Sequence, residues 1–75
     1  MENADLDRLR YTYKEAVDHW IEAIRAEEDL VTPDHSMMAA EEWDRAHFVE
    51  QDAQDVAKAA RQAYADELRK LLYNI

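Results

Sequence analysis

The stretch Val31-Thr32-Pro33-Asp34-His35-Ser36 decides how this chain folds, because it is where an otherwise continuous helical pattern breaks. Pro33 cannot donate a backbone hydrogen bond, and its ring disfavours helical geometry at Thr32. Thr32 or Asp34 can cap a following helix, with Ser36 a later option. The expected connection is short, roughly 3–6 residues, and short connections set neighbouring helices antiparallel.

On the N-terminal side of this break, apolar or aromatic residues recur at Leu6, Leu9, Tyr13, Ala16, Val17, Trp20, Ala23, Ile24 and Leu30. Steps of three and four place them on one helical face. Asn3 can cap this helix, and Asp5 and Asp7 suit the positive end of its dipole. On the other side the stripe reads Ala39, Trp43, Ala46, Val49, Ala53, Val56, Ala57, Ala60, Ala63, Tyr64, Leu68, Leu71 and Leu72, with no breaker inside it. The pattern predicts helix 1 over residues 4–31, a turn over 32–36 and helix 2 over 37–73, in one domain spanning 1–75.

Composition agrees. The 75 residues contain no glycine and one proline, which is too little turn chemistry for a β-rich fold of this size. The class is therefore all-α, as a two-helix antiparallel hairpin. There is no cysteine, so neither a disulfide nor a thiolate metal site can staple this small core. Very regular helix packing and oligomerisation are the remaining staples.

Folding the chain at the turn pairs residues whose numbers sum to about 66, since short loops leave little slack. Trp20 then faces Ala46, Tyr13 faces Ala53 and Leu9 faces Ala57, so large residues meet small ones along the seam. Met37 and Met38 are expected under the turn. In this register helix 1 runs out opposite residue 61, leaving Tyr64, Leu68, Leu71, Leu72 and Ile75 without a partner in their own chain. Each buried Leu or Ile contributes about 1.5–3 kcal/mol, so these residues are expected to form an oligomer interface. Val17, Ile24 and Val31 on helix 1, and Val49, Val56 and Ala63 on helix 2, widen the apolar stripe beyond a single seam. A homodimer forming a four-helix bundle would cover them.

The same register sets His19 level with His47, each followed three residues later by a glutamate, Glu22 and Glu50, and Glu15 lies one turn before His19. His19, His47, Glu50 and Glu15 are the candidate ligands of a divalent metal. The competing reading is two flanking histidines hydrogen-bonded to nearby carboxylates. Glu50 lies where the stripe calls for an apolar side chain, and a buried carboxylate needs a partner.

Eighteen acidic and nine basic residues give a net charge of −9, with no Lys/Arg run. That disfavours nucleic-acid backbones and anionic membrane surfaces. Glu27, Glu28, Asp29, Asp34, Glu41 and Glu42 make the turn end acidic, a surface with which an acidic inhibitor or mimic would bind a basic partner. The acidic N-terminus lacks a leader's apolar segment, which predicts a cytoplasmic protein. There is no glycine-rich phosphate loop, and Ser36, the only serine, has no His–acid arrangement nearby. The expectation is a non-enzymatic structural or regulatory interaction module, without a resident cofactor, that acts as a homo-oligomer or with another helical protein.

Overall fold

The computed structural model describes residues 4–73. Two helices, α1 (Ala4–Asp29) and α2 (Met37–Tyr73), pack against each other as an all-α hairpin. The longest extent, 58 Å, matches the length of α2, since 37 residues at about 1.5 Å per residue span about 55 Å. Asn3 and Ile75, read as a cap and as an interface residue, lie outside the described residues.

α1 ends two residues earlier than its apolar pattern suggests. Its last turn tightens, with Leu30 N–H donating to Glu27 O at 3.2 Å and Val31 N–H to Glu28 O at 3.0 Å. These bonds to the third preceding residue occupy carbonyls that a helix end leaves free. Of the candidate caps, Ser36 caps α2. Its Oγ accepts from Ala39 N–H at 3.2 Å, and its carbonyl takes the helix's first bond, from Ala40 N–H, at 3.1 Å. Asp34 instead holds the cap in place, accepting from Ser36 N–H at 3.0 Å and from Ser36 Oγ at 3.2 Å. Thr32 Oγ1 in turn accepts from Asp34 N–H at 3.2 Å. Three side chains that compete with helical hydrogen bonding thus build the loop turn by turn.

The register differs from the one the short turn predicts. Ala16 and Ala57 are the buried residues of the two helices, at 6% and 3% exposure. An alanine offers only a methyl group, so such burial requires the opposite helix to come close. Tyr13 and Tyr64 stack at a 6.4 Å centroid distance. Trp20 Nε1 reaches Glu50, and His47 reaches Glu27. These pairs sum to about 73, one heptad above the expected 66. The reason lies in the connection. Level pairing of Glu27 with His47 puts the start of α2 about 12 Å beyond the end of α1, counting about 1.5 Å per helical residue. The seven residues 30–36 carry the chain outward over that distance, well within the ~23 Å that they can span when extended. The first two turns of α2 then return alongside this loop, and Leu30, Val31 and His35 line a shallow pocket with Ala39 and Trp43.

Two expectations change with the register. Tyr64 and Leu68 are half-buried, because α1 now reaches nearly to the free end of α2. Leu71, Leu72 and Tyr73 remain exposed at the free end. Met37 and Met38 are exposed rather than tucked beneath the turn, since the loop covers the Ala39–Trp43 side of α2 instead.

If Ala16 and Ala57 mark the closest approach, Ala57→Leu should destabilise the protein by about 1–3 kcal/mol through overpacking. Ala59→Leu, at an exposed position, should stay within about 0.5 kcal/mol. Urea melts of the two variants check this; equal effects would contradict the register.

Candidate functional site

Glutamate occupies two positions that the seam would otherwise give to apolar residues. On α1 the sequence Leu6, Tyr13, Trp20, Glu27 repeats every seven residues, and on α2 Trp43, Glu50, Ala57, Tyr64 and Leu71 do the same. The observed register brings the two glutamates to the same region of the hairpin, toward the turn end. Glu27 retains 19% of its side-chain exposure and Glu50 12%, whereas His47 beside them is 50% exposed.

The geometry is specific. Trp20 Nε1–H donates to Glu50 Oε2 at 2.6 Å across the seam. The indole has one donor and no acceptor, so this bond satisfies it completely while fixing one carboxylate oxygen. The other oxygen, Oε1, lies 4.0 Å from His47 Nδ1 and accepts from Gln51 Nε2 at 3.4 Å. The same His47 Nδ1 lies 3.5 Å from Glu27 Oε2 on the opposite helix. His47 also leans on Phe48, with ring centroids 6.0 Å apart. One donor atom from each of Glu27, His47 and Glu50 falls within 4.8 Å of the others. Among the described residues no lysine or arginine ion-pairs with either glutamate; the Lys and Arg bridges lie along single helices, as in Arg69–Asp66 and Lys70–Glu67.

Of the four residues read from the sequence as candidate ligands, the structure brings together His47 and Glu50. His19 and Glu15 are exposed on α1 and lie outside the group, because the heptad shift moves His19 about one heptad away from the level of His47. Glu27 replaces them. The sequence reading assigned it to the acidic turn end, although its place in the seven-residue repeat after Tyr13 and Trp20 marked it as a seam position.

Comparison with protein-family models, with curated proteins and with solved structures gives no match. The arrangement itself therefore carries what can be said of its chemistry. An imidazole and two carboxylates provide hydrogen-bond acceptors and cation ligands. They include no hydroxyl or thiol nucleophile.

The Trp20–Glu50 bond should be worth more than an ordinary surface contact, since hydrogen bonds to charged groups contribute about 1.5–3 kcal/mol when shielded. Trp20→Phe should lower stability by about that amount. A double-mutant cycle with Glu50→Gln should return a coupling of about 0.5–3 kcal/mol. Additive effects would mean that the bond does not persist in solution.

Proposed function

We propose that this hairpin is a protein–protein interaction module that works as a homodimer, two copies forming a four-helix bundle. The observation that carries the reading is how much surface one copy leaves open. Compact monomers of 8.9 kDa expose about 4,800 Å² by the usual mass scaling, whereas this chain exposes 6112 Å². The difference is about 1,300 Å² per chain, or about 2,600 Å² for two, within the range of permanent homodimer interfaces. Among the described residues no large side chain is fully buried.

One exposed apolar stripe runs along a single side of α2, at Val49 and Val56. Val17 and Ile24 follow seam residues Ala16 and Ala23, whereas Val49, Val56 and Ala63 precede seam residues Glu50, Ala57 and Tyr64. In an antiparallel pair like flanking positions share a side, so these two stripes fall on opposite broad faces. Val17 and Ile24 are already half-buried by the hairpin, while Val49 and Val56 are exposed. The second copy is therefore assigned to the Val49–Val56–Ala63 face, where two α2 helices would pack side by side. The exposed Leu71, Leu72 and Tyr73 at the end of α2 extend the surface available to it.

Charge acts against this association. Each copy carries −9, so bringing two together costs electrostatic work that added salt reduces. Hydrophobic contact of valine and alanine across the α2 face has to exceed that repulsion. An acidic protein that instead captured a basic partner would show the opposite salt dependence. No helix of the described residues is long and apolar enough to cross a membrane, in keeping with a module that acts in water.

Sedimentation equilibrium at micromolar concentration should give a dimer whose dissociation constant falls as ionic strength rises. Val49→Lys combined with Val56→Lys should give a folded monomer with a lower melting temperature. A wild-type monomer that persists in high salt would overturn the reading.

A further inference from the structure

We propose that Glu27, His47 and Glu50 form a binding site for one divalent transition-metal ion, held by Nδ1 of His47 and one carboxylate oxygen from each glutamate. Imidazole with carboxylates suits zinc and its first-row neighbours, whereas an all-carboxylate cluster would serve harder cations or none. The donors come from both helices, so the ion would tie α1 to α2 at a level where the seam is otherwise polar.

Glu27 and Glu50 are largely shielded, face the same imidazole, and have no lysine or arginine ion pair among the described residues. Two shielded carboxylates without a fixed cation repel each other and keep a strong affinity for positive charge. A divalent ion held between them would offset that repulsion.

Trp20 Nε1–H, at 2.6 Å, holds Glu50 Oε2 and leaves Oε1 turned toward His47. Hydrogen bonds of this kind to ligating carboxylates orient them at metal sites. Tetrahedral ligands bound at about 2.0–2.2 Å lie about 3.3–3.6 Å apart; the 3.5 Å from His47 Nδ1 to Glu27 matches this, and the 4.0 Å to Glu50 is slightly longer. A small rotation of the exposed His47 side chain and of Glu27 would close the site without moving either helix. Water would fill the remaining positions on the open side.

Zinc chloride and cobalt chloride, added to the full chain prepared without a polyhistidine tag, are the probes. Zinc should bind at one ion per chain by calorimetry and raise the melting temperature. Cobalt should give a visible absorption band that zinc displaces. Glu27→Gln, His47→Gln and Glu50→Gln should each weaken zinc binding at least about tenfold, and Trp20→Phe by about tenfold through the lost supporting bond. The double variant Glu15→Gln, His19→Gln should bind as wild type. Ring resonances of the unmodified protein provide a readout that does not depend on any variant folding. Of His19, His35 and His47, only His47 should shift at the first equivalent of zinc. No melting shift and no cobalt band at millimolar metal would overturn the site, as would binding that survives Glu27→Gln or a first shift at His19 or His35.

Discussion

The close approach of α1 and α2 at Ala16 and Ala57 is the constraint on which the rest of this hairpin depends. Their methyl groups are small, so burial to a few per cent places both alanines in the seam, covered by the opposite helix and its side chains. Once these two alanines meet, the antiparallel geometry dictates every other level. Tyr13 comes beside Tyr64, Trp20 beside Glu50 and Glu27 beside His47. Bulky residues on one helix then lie level with alanines on the other, Tyr13 with Ala60 and Trp20 with Ala53, which lets the seam fill without separating the helices.

That geometry draws two glutamates into a region that elsewhere favours apolar side chains. The seam tolerates them because it supplies polar partners. The indole of Trp20 donates to Glu50, and the imidazole of His47 sits between the two carboxylates. Burying them unsatisfied would cost more than a protein of this size can spare, since marginal stability leaves only about 5–15 kcal/mol in total. In the alternative register, one heptad away, Glu50 would face Ala16 and lose the indole, and Ala57 would face Leu9. The polar residues therefore help to specify which of two similar alignments the helices adopt, a role documented for buried polar residues in coiled coils.

The free end of α2 looks different in this light. An overhang of five apolar residues would have made the terminal stretch the principal sticky surface. The observed register brings Tyr64 and Leu68 under α1 and leaves Leu71, Leu72 and Tyr73 exposed. Apolar surface also stays open along the side of the hairpin, at Val49 and Val56. An elongated pair of helices has too much surface for its mass, and association through a long side removes more of it than association through an end.

Helix content, the break around Pro33 and the antiparallel pairing were legible in the sequence, because they rest on local physics: the three-and-four spacing of apolar residues, and a proline that cannot continue a helix. His47 and Glu50 were legible as a polar pair for the same reason, being three residues apart on one helix. The vertical alignment of the helices was not. A seven-residue repeat looks the same when slid by seven, so large-against-small pairing fits both alignments, and the turn length alone favours the wrong one. Tertiary structure decided the matter through the outward path of residues 30–36 and the Ala16–Ala57 approach, which together fix the level of every cross-helix pair. That is why Glu27, thirty-three positions short of Ala60 in sequence but level with His47 in space, belongs to the candidate site while His19 does not.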